Sequence, residues 1–429
     1  LKGSFMNPAI IMPTFHQAAA DRDKSLAESI YDHPTPLDAP GTLERCLESL
    51  QKVQGLGQII ITVSHNEAVE KVKGIVDRFP QMHTLVISES EAAIVQQRLE
   101  QLGFGDTADK IGVHGYSAVR NLGLVISNIL GFDSVVFLDD DEVVEDPEFL
   151  IKAMYGLGKL TRREIPILAK SGYYLNAKGS FLSMSQNKWY NHYWQQGSAF
   201  NNWITKAMSG PRLSRSNHVC GGCLSLHKQA YMRVPFDPWI PRGEDLDYLI
   251  NLRMYGSDVW FDNQWYLVHL PPQERHEGHR FRKDIFRWIY EYYKIEFSQS
   301  QIDLLQIKPS SLEPYPGPFL ERGLEKRIKR TALLRSLARP DRAAYRKAAH
   351  VATNEAIEYA QKYCDRYFEF QRIWMQIMAQ TENDKVLQQA LIEAALVREA
   401  GGEIEVSIPK PSFDAGKTGE IHLNLADGE

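Results

Sequence analysis

Two patterns of hydrophobic and polar positions alternate over the first 270 residues of this sequence. Short runs rich in Val, Ile and Leu are typical of buried strands, and the longer stretches between them have the apolar spacing of amphipathic helices. The predicted strands are residues 9–14, 58–64, 83–89, 134–141 and 166–172, and the predicted helices are residues 42–53, 66–79, 91–102 and 116–129. This alternation predicts an α/β fold with a mostly parallel sheet that helices cover on both faces.

Polar residues stand at the carboxyl ends of these predicted strands. In α/β sheets, ligands bind in the crevice beyond those ends. The residues that this rule places on one rim are Pro13, Thr14, Ser64, His65 and the aspartates 139–141. We therefore expect the ligand site at this edge of the sheet.

The stretch FLDDDE, residues 137–142, sets carboxylates where an apolar strand ends. In an extended segment Asp139 and Asp141 project to one side and Asp140 to the other. Hard oxygen ligands of this kind suit Mg²⁺ or Mn²⁺, which bind through one or two carboxylates together with substrate phosphates. The alternative is an acidic loop that leads into a helix cap at Asp146.

Two further segments have residue types that suit a ligand site. In VCGGCLSL, Gly221 and Gly222 let backbone amides approach a ligand closely. The cysteines beside them are either small packing residues or a redox or metal pair. In PRGEDLDYLINLRMYG, Glu244 and Asp245 lie at the positive end of a predicted helix, where acids are either caps or site residues.

Charge and composition exclude some classes of protein. The 429 residues have a net charge of −5, so we expect no nucleic acid as a partner. No apolar run is long enough to span a bilayer and no signal-peptide pattern is present, which predicts a cytoplasmic protein. Residues 321–350 hold ten Lys or Arg against three acids. This basic segment is either a solvated helical face or a surface for anionic lipid or an acidic partner.

The second part of the chain is predicted to be helical. A proline-rich stretch, KPSSLEPYPGPF, follows residue 298, so the predicted domains are residues 1–297 and a mostly helical 298–429 with a polar tail. Apolar residues then alternate spacings of four and three, as in a coiled-coil seam. The seam comprises Ala356, Ala360, Tyr363, Tyr367, Phe370, Trp374 and Ile377. It packs either within the chain or in a homodimer.

The order and spacing of six motifs over residues 7 to 295 resemble the glycosyltransferases of the GT-A fold, and the pattern is most similar to the large family-two enzymes. The motifs are IIMPTF, LERCLESL, GYSAVRNLGL, FLDDDE, VCGGCLSLHKQAY and GEDLDYLINLRMYG. The resemblance implies a Rossmann-like catalytic domain, a bound Mn²⁺ or Mg²⁺, and a UDP- or GDP-sugar as the donor. The acceptor is then a carbohydrate or another small hydroxylated molecule.

The resemblance also implies roles for particular residues. Asp141 and the strand-end His269 would bind the metal, with Asp139 on the ribose or sugar side and at the metal, and His276 as the alternative to His269. Asp245, beside Glu244, would be the general base of an inverting reaction. The residues expected to bind the donor are Pro13, Thr14, Ser64, Arg120, Asn121, Asp139, Asp140, Gly221 and Gly222.

Two features differ from the family pattern, and two other activities remain open. A long polar insertion follows Pro13, and TVSHNEA lacks the usual aspartate for the nucleobase, so Ser64, His65 or Asn66 would substitute.

A basic segment, residues 271–283, is expected to form a lid over the diphosphate, and the aromatic residues 187–206 either border the acceptor or pack in the core. The alternative activities are a retaining transferase similar to mannosylglycerate synthase and a non-catalytic carbohydrate-binding or scaffold protein.

Overall fold

The computed structural model describes residues 8–17, 34–184, 188–271, 277–402, 404 and 408. The strands are β1 Ala9–Thr14, β2 His16–Gln17, β3 Thr35–Pro36, β4 Ile59–Val63, β5 Thr84–Ile87, β6 Ser134–Phe137, β7 Glu142–Val143, β8 Ala169–Leu175, β9 Leu213–Arg215, β10 Leu224–His227 and β11 Val259–His269. The first nine helices are α1 Leu43–Leu50, α2 Val69–Val76, α3 Glu89–Gln101, α4 Gly105–Ala108, α5 Tyr116–Ile129, α6 Phe149–Met154, α7 Gln196–Met208, α8 Lys228–Tyr231 and α9 Glu244–Met254. The helices that follow are α10 Glu277–Ser298, α11 Leu324–Ala338, α12 Arg342–Lys347, α13 Thr353–Tyr363, α14 Arg366–Thr381 and α15 Lys385–Glu399.

The central sheet has the strand order β5-β4-β1-β6-β10-β8-β11-β7, and β9 pairs with β11. Among the described residues, six of its nine strands run in one direction, which confirms the predicted α/β class with a mostly parallel sheet. Strand β10 lies antiparallel between β6 and β8, while β7 and β9 lie antiparallel to β11. The carboxyl ends of β1, β6, β8 and β11 therefore share one edge, and β10 begins there.

The sheet has a hydrophobic core on each face because its strands carry apolar residues at successive positions. Ile10 and Met12 of β1 contribute to the core under α1, α2 and α6. Ile11 faces the opposite core, together with α3, α5 and the C-terminal helices. Strands that are buried on both faces have continuous apolar runs in the sequence, and these runs are what identified them.

Two predicted strands have different limits in the structure. The 134–141 prediction ends at Phe137, because the aspartates that follow leave the sheet. The 166–172 prediction shifts to β8, since Pro166 makes only an isolated bridge with Leu160 before the strand begins at Ala169. Proline cannot donate to a sheet hydrogen bond, which explains its place outside the strand.

The predicted C-terminal seam packs within the chain. It is split between α13 and α14, and all its members except the half-buried Tyr363 are buried. Tyr367 donates to the carbonyl of Pro235 at 3.3 Å, and Trp374 Nε1 donates to the carbonyl of Tyr231 at 2.8 Å. These contacts anchor α14 to the end of α8 and to the loop between α8 and α9. The homodimer and the domain boundary at residue 298 stay predictions.

Within the part of the chain that the structure covers, no helix is both long and apolar enough to cross a bilayer. The basic segment 321–350 forms α11 and α12. Its arginines are not all solvated, because Arg335 stacks over the Phe281 ring at 4.4 Å and hydrogen-bonds Asn191 at 2.9 Å. Most of the other Lys and Arg side chains of this segment are exposed, and whether they form only a solvated face or a surface for a partner stays open.

Candidate active site

A cavity of about 660 Å³ opens at the shared edge of the sheet, where β1, β6, β8 and β11 end and α9 begins. Its lining brings together residues that are far apart in sequence. Eight residues predicted for the site line it: Arg120, Asp139, Asp140, Asp141, Gly221, Glu244, Asp245 and His269. The rule that ligands bind beyond the carboxyl ends of parallel strands fits this position.

The three aspartates occupy a tight turn between β6 and β7. The backbone amide of Asp139 donates to the Glu142 carboxylate at 2.8 Å, and Thr14 Oγ1 donates to Asp140 Oδ2 at 2.6 Å. Burial, together with the neighbouring charges of Asp141 and Asp139, raises the pKa of Asp140 to about 7. Burial also raises the pKa of Asp139, against the opposing effect of Arg120. Negative charge is therefore crowded here, as it is in cation sites.

Arg120 of α5 connects the aspartate turn to α9. Its Nη2 donates to Asp139 Oδ1 at 3.0 Å, its Nε to Glu244 Oε1 at 3.1 Å, and its Nη1 to the carbonyl of Gly221 at 3.2 Å. The side chain is only 3% exposed. Burial opposes its charge, but Asp139 and Glu244 outweigh that effect and raise the pKa of the guanidinium. The arginine is thus fixed in position as a charged group.

Asp141 and His269 approach each other across the β7–β11 edge. Nε2 of His269 lies 3.4 Å from Oδ2 of Asp141, and the amide of Leu270 donates to the Asp141 carbonyl at 3.2 Å. The imidazole is orientated by Tyr174, whose ring centroid lies 4.8 Å from that of the histidine. Both side chains remain partly exposed, at 16% for Asp141 and 34% for His269, so a ligand can reach them.

Glu142 is a buried carboxylate that the sequence analysis did not assign. It is fully buried, and its Oε1 has no hydrogen-bond partner among the described residues. Gly222 packs against it so closely that a Cβ there would lie 2.0 Å from the carboxylate, which requires glycine. Burial and the charges of Asp139 and Asp141 raise the pKa of Glu142 well above its ordinary value. Gly222 therefore makes room for this carboxylate, and its amide donates to Tyr174 Oη at 2.7 Å.

Helix α9 begins at the cavity with two acids. Gly243, its N-cap, has φ of 74°, and a Cβ there would lie 2.1 Å from the Arg287 guanidinium. Glu244 is held by Arg120, while burial raises the pKa of its carboxyl group. Asp245 lies across from Gly221, whose Cβ would be 3.4 Å from the Asp245 Cβ. The aspartate thus lies in the same cavity as the aspartate turn.

Four of the residues predicted to bind the donor support the site from behind instead of lining it. Pro13 is buried in β1, Thr14 bonds Asp140, and Ser64 Oγ accepts from the amide of His16 at 2.8 Å. Asn121 is buried, and both polar atoms of its amide bond the backbone of Phe236 at 2.9 Å. Gly222, described above, is the fifth residue outside the lining. His276 falls outside the described residues.

Three further arginines, from two segments, complete the cavity, and the sequence anticipated only Arg280, within the basic segment 271–283 expected over the diphosphate. Arg242 precedes α9, whereas Arg280 and Arg287 lie on α10. Within the predicted lid, residues 277–283 form the first turns of this helix, and closure over the diphosphate stays a prediction. The sequence feature that could have identified Arg287 as a cavity residue is its spacing of seven residues from Arg280, which puts both on one helix face.

The residue types that line the cavity suit a divalent metal, although the ligand atoms of Asp139, Asp141 and His269 do not all lie within 4.8 Å of one another. Asp139, Asp141 and His269 offer two carboxylates and an imidazole, and the Asp141–His269 pair is close enough for both to contact one ion. The carboxyl groups of Asp139, Asp140 and Glu142 have raised pKa values, so bound positive charge would relieve their repulsion. Carboxylates with one imidazole suit Mn²⁺ and Mg²⁺.

No protein-family model matches this sequence, and no curated protein does. Among solved structures, the chain is similar to the mannosyltransferase PcManGT from Pyrobaculum calidifontis in complex with GDP-Man and Mn²⁺, with 13% identity and a TM-score of 0.46, covering 88% of this chain and 86% of that one. It is also similar to GalNAc-T7 with UDP, GalNAc and Mn²⁺, with 12% identity, a TM-score of 0.40 and coverage of 76% and 56%. A third similarity is to mouse xyloside xylosyltransferase 1 in its apo form, with 12% identity, a TM-score of 0.26 and coverage of 54% and 69%.

These structural neighbours are glycosyltransferases. At TM-scores below 0.5 they carry no information about the substrate or the mechanism of this chain.

Proposed function

We propose that this protein is a metal-dependent glycosyltransferase of the GT-A type, which moves a sugar from a UDP- or GDP-sugar to an acceptor hydroxyl with inversion. The observation that supports this most directly is the convergence of Asp139, Asp141, His269 and Asp245 in one cavity. Two of these carboxylates and the imidazole suit a metal ion that stabilises the leaving group. The carboxylate at the start of α9 suits a general base that activates the acceptor.

The donor diphosphate is proposed to lie between the aspartate turn and the arginines of α10. Asp141 and His269, with Asp139, would hold Mn²⁺ or Mg²⁺, which when bound neutralises the charge of the diphosphate leaving group. Arg280 and Arg287 face the same cavity and can contact phosphate oxygens through paired N–H donors. Arg120 holds Asp139 in place, so the ribose or sugar meets a carboxylate of fixed position.

Asp245 is proposed to act as the general base. The acceptor hydroxyl would transfer its proton to the Asp245 carboxylate while its oxygen forms a bond to the anomeric carbon of the donor. The bond between that carbon and the diphosphate oxygen breaks, and the nucleoside diphosphate leaves from the opposite face. Single displacement of this kind inverts the anomeric centre.

The acceptor is proposed to enter through a second cavity of about 490 Å³. This cavity shares Met184 and Arg280 with the first, so the two adjoin. Tyr190 and Asn191 line it, and both belong to the aromatic segment predicted to border the acceptor. An aromatic face and an amide side chain suit a sugar ring and its hydroxyl groups, which supports a carbohydrate acceptor.

Thermal-shift measurements with UDP, GDP and their common sugar conjugates, with and without Mn²⁺, test this function. A ligand that binds the native state raises the melting temperature by mass action. We expect one nucleotide series to raise it, and more strongly with Mn²⁺, and the matching nucleotide sugar to release its nucleoside diphosphate slowly in water. If no conjugate shifts the melting temperature and none is hydrolysed, the proposed function is wrong.

A further inference from the structure

Three potential metal ligands converge on the surface beside the active-site cavity. They are His65, which follows β4, Glu89, the first residue of α3, and His114, which precedes α5. One ligand atom from each lies within 4.8 Å of the other two. The two imidazole centroids are 5.6 Å apart, and His114 Nε2 lies 3.2 Å from Glu89 Oε1.

The carboxylate of this group is held by its neighbours. Asn66 Nδ2 donates to Glu89 Oε2 at 2.8 Å, and the amide of Glu89 donates to Asn66 Oδ1 at 3.3 Å. The backbone of Glu89 is further fixed because Ser88 and Glu91 form a capping box at the start of α3. Glu89 Oε1 is therefore directed to His114, and a second polar group orientates the carboxylate, as is usual for metal ligands.

We propose that His65, Glu89 and His114 form a second metal site, which binds Zn²⁺ or a similar transition metal. Two imidazoles and one carboxylate are a zinc ligand set that leaves a fourth position open. Bond lengths of about 2.0–2.2 Å around a tetrahedral ion put ligand atoms about 3.4 Å apart. The distance of 3.2 Å between Glu89 Oε1 and His114 Nε2 is already close to this value. The ligand atom of His65 is farther away, and the exposed His114 side chain can rotate towards it.

This site differs chemically from the aspartate turn. The turn and His269 together offer several carboxylates and one imidazole. The second site offers two imidazoles and one carboxylate, which favours zinc over magnesium. Bound metal would join the end of β4, the start of α3 and the segment before α5. Tyr116, two residues after His114, lines the active-site cavity. The metal would therefore hold in place the segment that carries Tyr116 at the wall of that cavity. This inference does not rest on the proposed activity.

The test uses the full chain stripped with a chelator, in an Asp141→Ala background that disables the aspartate turn. Titration with Zn²⁺ alone, and with Co²⁺ for its visible absorption, should reveal one equivalent bound per chain. Adding His114→Ala or Glu89→Gln should abolish that binding, whereas His350→Ala, at an exposed histidine elsewhere, should not change it.

Zinc should also raise the melting temperature of the Asp141→Ala protein and of its His350→Ala derivative only. Unchanged Zn²⁺ binding after His114→Ala or Glu89→Gln would overturn the proposal. So would the absence of Zn²⁺ binding in the Asp141→Ala parent.

Discussion

Arg120 and Glu244 form a buried ion pair with 3.1 Å between Nε and Oε1. The arginine belongs to α5 and the glutamate to α9, so the pair fixes two helices against each other at the edge of the sheet. Arg120 also binds Asp139 of the aspartate turn. Arg120 therefore positions both Asp139, in the proposed donor site, and Glu244, which is next to the proposed base Asp245.

Replacing Arg120 with Gln should destabilise the protein markedly. The change leaves Asp139 and Glu244 without their cation, and breaking a buried pair by removing one partner costs about 3–5 kcal/mol. Urea denaturation gives the free energy of unfolding of each variant. Arg78→Gln is the matched control, because its pair with Glu44 is exposed and should contribute at most about 1 kcal/mol. Equal stability of the two variants would refute the structural role given to Arg120.

Replacing Asp245 with Asn should slow transfer without weakening donor binding. The amide keeps the shape of the side chain but cannot accept a proton, and a general base contributes about 10²- to 10⁴-fold to the rate. Steady-state turnover and nucleotide affinity are the two measurements. A wild-type turnover rate, or a product that keeps the anomeric configuration of the donor, would rule out Asp245 as the base of an inverting reaction.

His218 should make the protein less stable in acid. It lies within an aromatic group, with ring centroids 5.0 Å from Phe200 and 5.7 Å from both Trp203 and Tyr315. Burial lowers the pKa of His218 to about 4, and the unfolded value is about 6.5. Because the folded pKa is the lower one, the unfolded chain binds the proton first. The stabilisation is complete above pH 6.5 and is lost as the pH falls from there to about 4.

Between pH 7 and pH 5, protonation of His218 in the unfolded state should therefore lower the free energy of unfolding by about 2 kcal/mol. His218→Phe keeps an aromatic ring and cannot bind the proton. Urea denaturation of both proteins at the two pH values isolates this effect, because His16, whose pKa burial also lowers, is present in both. Parallel pH profiles for wild type and variant would show that His218 does not contribute.

The strands and helices that could be predicted are those whose signal lies in the spacing of apolar residues along the chain. Strands β1, β4 and β6 were found because burial on both faces makes them continuously apolar, and α5 because its apolar spacing is helical. The carboxylate cluster was predicted for a similar reason, since it directly follows an apolar run, but it was expected in an extended segment and the structure has a turn there. These features depend on local chemistry, which a single sequence displays.

Features set by distant contacts could not be predicted in the same way. Asn121 looks like a donor ligand by motif, yet its amide satisfies the backbone of Phe236, which only the fold brings near. Glu142 reads as one more acid in an acidic string, although it is buried against Gly222. The antiparallel direction of β10 likewise depends on which strands it joins, and its apolar residues carry no information about direction.

Metal-dependent binding of the nucleotide is the claim on which the proposed function depends most. Isothermal titration of the nucleoside diphosphate, with and without Mn²⁺, should be made on wild type, Asp141→Ala and Asp146→Ala. Asp146 belongs to the same acidic string but pairs with Lys152 and is outside the cavity lining, so it is the matched control. We expect Mn²⁺ to strengthen binding to wild type and Asp146→Ala and to have no effect on Asp141→Ala. Equal strengthening in Asp141→Ala, or wild-type binding that does not depend on Mn²⁺, would contradict the account.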